Sequence, residues 1–230
     1  MRYDPRVIPW VLLASAPAPA SGEPLNLFQR DDEYSIRAGG TELMNSRLHA
    51  SEDALAELTC ERLRSRTGVR ILLGGLGMGY TLTSVLQKVD RTSEIVVAEL
   101  VPGVVEWNRT ILAHLNGNAL KDARVKVLEK DVAKVIRTES GGYDGIVLDV
   151  DSGPAGHTAK STDRLYGNGG LRAAELALRP GGILTIWSAQ PDPKFTKRLE
   201  QTGFKAEVLT VRGRDKTRGP KYTIWIAKRR

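Results

Sequence analysis

The strongest constraint on the fold is a regular alternation that begins at Val69. From there, short runs of consecutive apolar residues alternate with stretches whose apolar residues recur at helical spacing. Runs that are apolar at every position are typical of strands buried on both faces, with the intervening helices as covering layers. The alternation predicts an α/β domain with a mostly parallel sheet. The predicted strands cover 69–73, 94–98, 125–128, 145–148 and 183–187, and the predicted helices cover 82–88, 104–115, 132–137, 171–178 and 194–201.

The last two strand-like runs break this alternation, because no helical stretch separates 206–211 from 222–227. Neighbouring strands joined by a short loop pair in antiparallel fashion, whereas a parallel pair needs a long crossover. The chain is therefore expected to end in an antiparallel hairpin added to the parallel sheet.

The first 50 residues contain short strand-like runs without helices between them. Gly, Pro or acidic turns separate the runs, as in a small antiparallel sheet. We therefore predict a small N-terminal β layer over 1–50 and the main α/β domain over 51–230. The strand-like runs cover 11–13, 25–29, 34–37 and 41–44.

The N-terminus also imitates a secretory signal, because an apolar run over 7–14 precedes a stretch rich in Ala and Pro. Asp4, Pro5 and Pro9 interrupt that pattern and favour a first β-strand followed by a linker. No run approaches the ~20 apolar residues that a transmembrane helix requires. We expect a cytoplasmic protein that does not enter a membrane.

A helix is predicted to begin at Ser51, where apolar residues first recur at helical spacing. Ser51 is expected to cap this helix, since a serine hydroxyl can accept a hydrogen bond from a free backbone N–H of the first turn. Glu52 and Asp53 lie in the first turn, where the helix dipole favours acidic side chains.

A glycine-rich run, Gly74-Gly75-Leu76-Gly77-Met78-Gly79, follows the first predicted parallel strand and precedes a helix. Glycine permits tight turns and close backbone approach, and a helix N-terminus offers free N–H groups to a ligand. Glu99 ends the next strand, about 20 residues further on, where a carboxylate can accept both hydroxyls of a ribose. Together these features predict a nucleoside site.

Two further acids follow predicted strands, Asp131 after the third and Asp149 after the fourth. Ligands of open α/β sheets bind at the carboxyl ends of the strands, so Glu99, Asp131 and Asp149 are expected to converge on one crevice. Asp131 has an alternative role as a helix cap. The segment 150–164 has no clear periodicity and is predicted to be a mobile lid.

These motifs, taken in order, resemble the spermidine synthase family. The resemblance rests on the glycine-rich run, Glu99, the stretch 123–125 leading to Asp131, the strand 143–149, Leu165-Tyr166 and the segment 178–184. It implies a Rossmann-like S-adenosylmethionine methyltransferase fold, so that 51–230 forms a nucleoside-binding transferase domain. It also implies that the protein forms a dimer, as members of this family do.

The resemblance assigns roles to individual residues. Gly75, Gly77 and Gly79 would approach the amino-acid-derived part of the donor. Glu99 would hold the ribose, and Asp131 would face the amino group of the adenine. Asp149 would lie near the transferred group and would bind and deprotonate the acceptor amine.

The acceptor motifs depart from the family pattern. The family's Tyr-His-Glu segment is represented only by His49 and, three positions later, Glu52. The second acid after the fourth strand is displaced to Asp151. His157 is an alternative base, and the remaining acceptor or lid candidate is Tyr166.

The favoured function is the transfer of an aminopropyl group from decarboxylated S-adenosylmethionine to a small amine, without a metal. The alternative is an S-adenosylmethionine-dependent methyltransferase with another acceptor. A third class, a nucleoside-binding or RNA-binding protein without robust catalysis, would use the basic C-terminal segment.

The net charge of +7 is concentrated at one end of the chain. Residues 212–230 contain eight basic residues and one acid, whereas the first 211 residues contain 26 of each sign. Nucleic acid is therefore not the expected partner of the protein as a whole. If the basic loop at 212–221 reached the active site, it would attract a phosphate or carboxylate and repel a polycation. The alternative is a solvated loop far from the site.

Overall fold

The computed structural model describes residues 8–18, 23–150, 153–154, 164–215 and 217–230. An antiparallel sheet near the N-terminus contains four strands in chain order. Its last two hairpins turn within two residues, and Asp31 adopts a left-handed backbone conformation in the first of these two turns (φ 56°). The predicted β layer is confirmed. The strands are β1 (Val11–Ala16), β2 (Leu25–Arg30), β3 (Glu33–Ala38) and β4 (Thr41–Asn45).

A seven-stranded sheet forms the centre of the molecule, with the strand order β10-β11-β9-β8-β5-β6-β7. Strands β9, β8, β5, β6 and β7 are parallel neighbours, and β11 is antiparallel to both β9 and β10. This confirms the predicted parallel sheet with a C-terminal hairpin. The strands are β5 (Arg70–Gly74), β6 (Glu94–Ala98), β7 (Val125–Leu128), β8 (Tyr143–Leu148), β9 (Leu178–Ser188), β10 (Phe204–Arg212) and β11 (Lys221–Arg229).

Helices cover both faces of this sheet. Two hydrophobic cores result: Ile71 and Leu73 point into one, and Leu72 points into the other. This explains why the strand sequences are apolar at consecutive positions. The helices are α1 (Ala50–Leu63), α2 (Tyr80–Leu86), α3 (Pro102–Arg109), α4 (Val132–Arg137), α5 (Asn168–Ala177) and α6 (Pro193–Gln201).

The N-terminal sheet shares the core on the α1 face, to which it contributes Leu27, Tyr34 and Ile36. The proposed boundary near residue 50 stays a prediction, since this packing joins the two parts without a gap in the core. In the described ranges, no helix combines the length and apolar character needed to cross a membrane.

Two predicted features were wrong in detail. Helix α1 begins at Ala50, and Ser51 does not cap it, because the Ser51 hydroxyl donates to the Glu52 carboxylate instead. The helix predicted over 104–115 ends at Arg109. Leu112 is nevertheless fully buried in the turns that follow, so its apolar spacing imitates a longer helix.

Candidate active site

The glycine-rich loop and the three strand-end acids lie together at the carboxyl edge of the parallel strands. Ala98 is paired with both Gly74 and Leu128, so the chain leaves β5, β6 and β7 at one level. The predicted convergence is confirmed. A cavity of about 360 Å³ opens there, lined among others by Gly75, Gly77, Glu99, Asp131 and Asp149.

The glycine loop needs its glycines at two positions that line this cavity. Gly75 has φ 88°, and a Cβ there would lie 2.5 Å from the Asp149 carbonyl oxygen. Gly77 has φ 53°, and a Cβ there would lie 2.8 Å from the Met44 side chain. Both conformations disfavour L side chains. Gly79 precedes α2 and packs on Asn116, outside the cavity lining, so its role toward the donor stays a prediction.

Glu99 ties the glycine loop to the end of β6. One carboxylate oxygen accepts the Leu76 N–H at 2.8 Å, and the other accepts the Val101 N–H at 2.8 Å. The side chain is buried. Each carboxylate oxygen can accept a further hydrogen bond, so these contacts are compatible with the predicted ribose contact. The sequence contained no signal for this bridging role.

Asp131 caps α4, the alternative that the sequence had left open. Its Oδ1 accepts the Ala133 N–H at 2.8 Å. Its Oδ2 lies 3.7 Å from Nη1 of Arg164 and lines the cavity. Only one oxygen is used by the cap, so the predicted contact with an adenine amino group stays open as a prediction.

Asp149 and Glu52 form an acidic pair beside this cavity. Asp149 accepts a hydrogen bond from the Thr81 hydroxyl at 2.9 Å, and burial raises the pKa of its carboxyl to about 6. Glu52 is only 6% exposed. Burial and then the charge of Asp149 raise the pKa of Glu52 to about 7. Two acids that share one site in this way hold a proton between them near neutral pH.

His49 lies at the start of α1, next to this pair. Its Nδ1 lies 2.8 Å from Oδ2 of Asp53, and the Ser84 hydroxyl donates to the other Asp53 oxygen at 2.5 Å. The hydrogen bond with Asp53 raises the pKa of His49. The imidazole stacks on the Tyr80 ring, with 4.1 Å between the ring centroids. His49 is thus held at the rim of the site rather than inside it.

Two aromatic residues near Glu52, Tyr80 and Tyr222, were not predicted from the sequence, nor was the contact of Tyr222 with Trp187. Burial first, and then the Glu52 charge, raise the pKa of the Tyr80 and Tyr222 hydroxyls, that of Tyr80 to about 12. Trp187 packs on Tyr222, with 4.9 Å between the ring centroids. Tyr222 and Trp187 come together through the pairing of β9 and β11, and Tyr80 lies on α2, so no local motif could have identified the three together.

The basic loop at 212–221 starts at this rim. The Ala50 N–H, at the beginning of α1, donates to the Gly213 carbonyl at 3.1 Å. The alternative of a loop far from the site is therefore wrong for its first residues.

Among the other acceptor candidates, only Tyr166 lies in the described part of the chain, and it does not join the pair. The Tyr166 ring is buried in the core on the α4–α6 face, 5.8 Å from the Phe195 ring, whereas Glu52 lies on the α1 face. Packing therefore accounts for Tyr166, and the structure does not support it as an acceptor contact. Asp151, His157 and most of the predicted lid lie outside the described residues.

Solved structures share this architecture. The spermidine synthase of Thermotoga maritima superposes with a TM-score of 0.74 at 16% identity, covering 95% of this chain and 73% of that one. A spermidine synthase in complex with the transition-state analogue AdoDATO gives 0.73 at 16% identity, covering 95% and 72%. At this identity the likeness concerns the fold.

Curated relatives match about half of the chain. A polyamine aminopropyltransferase of Mycobacterium tuberculosis H37Rv is 30% identical over 124 residues, which are 53% of this chain and 23% of the relative. Putrescine N-methyltransferase 1 of Nicotiana tabacum is also 30% identical over 124 residues, 51% of this chain and 31% of that protein. The matched segments thus span about a quarter to a third of these relatives.

The spermine/spermidine synthase domain matches residues 50–202, which include the glycine loop, Glu99, Asp131, Asp149 and Glu52. This match extends over more than half of the chain, and it agrees with the strand order and with the acids at the sheet edge. The protein therefore belongs to the spermine/spermidine synthase family.

Proposed function

We propose that the protein transfers an aminopropyl group from decarboxylated S-adenosylmethionine to a small amine. The observation that carries this proposal is the Asp149–Glu52 pair, placed beside the cavity of the glycine loop. A buried acidic pair attracts amines and can take up a proton near neutral pH. The printed names of the relatives, polyamine aminopropyltransferase and spermidine synthase, support the same reaction.

The donor would occupy the cavity at the carboxyl edge of the sheet. Gly75 and Gly77 would let its amino-acid-derived portion approach the backbone, Glu99 would accept the ribose hydroxyls, and Asp131 would accept the adenine amino group. The acids at this end favour the decarboxylated donor, because its side chain ends in a cation, whereas a carboxylate beside Asp149 would be repelled.

The transfer is a displacement at the methylene carbon bonded to the sulfonium. The acceptor nitrogen forms a bond to this carbon while the carbon–sulfur bond breaks, and the bonding electrons pass to sulfur, which becomes a neutral thioether. The nitrogen then carries an extra proton, which Asp149 accepts. Since the sulfonium is already activated, alignment of the two reactants and removal of this proton are the tasks left to the protein.

Glu52 would keep the pair at a single negative charge during binding. With the raised pKa of Glu52, one proton is shared by the two carboxyls near neutral pH. The remaining charge attracts the amine, and ionisation of Asp149 provides the base. Thr81 fixes the Asp149 carboxylate through its 2.9 Å hydrogen bond.

Calorimetry with the two donors tests this proposal. Decarboxylated S-adenosylmethionine is expected to bind more tightly than S-adenosylmethionine, and an amine acceptor is expected to gain the mass of an aminopropyl group. A clear preference for the carboxylated donor, with gain of a methyl group by the acceptor, would instead establish methyl transfer, as in the tobacco relative's name.

We further propose a cytoplasmic homodimer. Analytical ultracentrifugation of the full chain tests the dimer, and cell fractionation tests the location. A monomer at micromolar concentration, or recovery of the protein from the secreted fraction, would contradict these two proposals.

A further inference from the structure

The part of the cavity beside Asp131 carries charges of both signs. Asp131 lines it together with the exposed cations Lys130 and Arg164 and with the half-buried Leu165. These four residues are here called the base end of the cavity, because the proposed function places the adenine of the donor there.

Asp131 is held so that one carboxylate oxygen serves α4 and the other remains at the base end. Oδ1 accepts the Ala133 N–H at 2.8 Å in the first turn of α4. Oδ2 lies 3.7 Å from Nη1 of Arg164. That distance is too long for a hydrogen bond, although the two opposite charges attract each other. Oδ2 therefore keeps the capacity to accept a hydrogen bond from a ligand.

The backbone of Arg164 is fixed by two helices. Its carbonyl oxygen accepts a hydrogen bond from Nη2 of Arg137, on α4, at 3.0 Å. A Cβ at Gly170, on α5, would clash with the same oxygen, so α5 packs closely on this segment. The side chain is 52% exposed, and its guanidinium reaches the Asp131 carboxylate. A guanidinium carries five N–H donors, more than a single partner can use.

Adenine presents the complement of these two groups along its edge. Its exocyclic amino group donates hydrogen bonds, and the ring nitrogens on either side of that group, N1 and N7, accept them. Proteins that read adenine in nucleic acids place an acceptor and a donor side by side, as in the amide of Asn or Gln. Asp131 and Arg164 place the same two functions 3.7 Å apart on separate side chains.

From this arrangement, and on the basis of the proposed function, we infer that Arg164 recognises the base of the donor by donating a hydrogen bond to a ring nitrogen of its adenine. Asp131 accepts the amino group at the same time. A carboxylate alone contacts only the amino group, whereas the pair also requires an acceptor next to it. Arg164 thus adds specificity for adenine, and its charge strengthens the hydrogen bond that it donates.

The test uses 5′-methylthioadenosine, the product that the donor leaves behind, together with its 1-deaza and 7-deaza analogues. Each analogue replaces one ring nitrogen by a C–H group and keeps the amino group. Calorimetry with the full chain is expected to show that at least one analogue binds about tenfold or more weakly than methylthioadenosine, as for a hydrogen bond to a charged group.

Matched variants each remove one cation from the base end. Arg164→Met removes the proposed donor, so at least one analogue that the wild type discriminates against is expected to bind as tightly as methylthioadenosine. That analogue identifies the nitrogen that Arg164 contacts. Lys130→Met, at an exposed position of the same cavity, is expected to keep every wild-type difference. A merely structural role of Arg164 would weaken all three ligands equally and leave their affinity ratios unchanged. Thermal melting of both variants checks that the fold is retained.

Three results would overturn the inference: neither analogue binds more weakly than methylthioadenosine, Arg164→Met keeps every wild-type difference, or Lys130→Met loses a difference that Arg164→Met keeps. The proposed function is judged separately, by the mass of the product formed from the decarboxylated donor. Aminopropyl transfer by a protein that binds all three ligands alike would remove Arg164 from base recognition and leave the proposed function standing. Methylthioadenosine that does not bind at all would contradict the donor site and the inference together.

Discussion

The proposed donor side of the site is formed by the ends of adjacent parallel strands, whereas the proposed acceptor side is formed by segments far apart in the sequence. On the donor side, Glu99 accepts two backbone N–H groups and Asp131 caps the helix that follows it. On the acceptor side, Glu52 of α1, Tyr80 of α2 and Tyr222 of β11 come together only through tertiary packing.

This difference shows which positions of the site are determined by the fold and which depend on the side chains of the individual sequence. Any chain with this strand order brings the donor-side positions together, since they follow directly from the sheet. The acceptor side depends on which side chains α1 and the C-terminal hairpin supply. The family match therefore supports the proposed donor contacts more strongly than it supports the identity of the acceptor. The following predictions test the two sides separately.

The largest effect is expected at Asp149, where the two sides meet. Asp149→Asn removes the base and the charge that attracts the amine, and it should lower turnover by about 100- to 10,000-fold. Donor binding should stay measurable by calorimetry, because most of the proposed donor contacts are made elsewhere. Asp32→Asn, at a residue whose side chain is 87% exposed, serves as the control and should retain full turnover. Near-normal turnover of Asp149→Asn would remove this residue from the mechanism.

Glu99→Gln tests the donor side. It replaces one carboxylate oxygen that accepts a backbone N–H by an amide donor, which disturbs the contact with Leu76 or Val101. Hydrogen bonds to charged groups contribute about 1.5–3 kcal/mol, so the donor Kd should rise about 10- to 100-fold. Glu61→Gln, at an exposed position on α1, is the control. An unchanged donor Kd in Glu99→Gln would contradict a ribose contact at this residue.

The acceptor side should make stability depend on pH. In the folded protein the pKa of Glu52 is raised from 4.5 to about 7. The folded state therefore holds this proton more tightly than the unfolded state. The resulting stability is fully present below pH 4.5 and is lost as the pH rises through 7.

Glu52→Gln removes one of the two carboxyls of the pair that titrate in this range, and Asp149, whose pKa burial raises to about 6, remains in both proteins. At pH 8 the free energy of unfolding of the variant should be about 2 kcal/mol higher than that of the wild type, so the variant is the more stable protein. Near pH 4 the difference should vanish. Chemical denaturation at several pH values measures this, with Glu61→Gln on the same helix as the control. A variant less stable than the wild type at pH 8 would contradict a buried, charge-coupled Glu52.

A smaller effect is expected where the N-terminal sheet covers the glycine loop. Gly77→Ala introduces a side chain at φ 53° and places its Cβ 2.8 Å from the Met44 thioether. The left-handed conformation alone should cost about 1–2 kcal/mol. Adding Met44→Ala should remove the contact but not this backbone cost. Gly40→Ala, with no atom within 4 Å of the added Cβ, should be nearly neutral. Equal melting temperatures for the Gly77 and Gly40 variants would contradict this account.

The sequence predicted the features that depend on local periodicity and on strand ends. Helix α4 has the predicted bounds, Val132–Arg137, and the three acids converge at the sheet edge as expected. Apolar spacing and strand-end acids are sufficient for such features, because each is determined by a short segment and by the topology of a parallel sheet.

The features that were missed depend on partners distant in sequence. Helix α3 ends at Arg109 although the apolar spacing continues, and the Asn116 side chain beyond it donates to the Asn108 side chain at 2.8 Å. The contact of Glu99 with the Leu76 N–H and the aromatic contact between Trp187 and Tyr222 likewise need the folded sheet. Periodicity has no information about such contacts.

The most direct test of the account is the mass of the product formed when both donors compete. The full chain is incubated with equal amounts of decarboxylated S-adenosylmethionine and S-adenosylmethionine, together with a mixture of small amines. The expected result is an acceptor that gains the mass of an aminopropyl group, with this product formed at least about 100-fold more slowly by Asp149→Asn. An acceptor that gains only a methyl group, or aminopropyl transfer at a near-normal rate in Asp149→Asn, would contradict it.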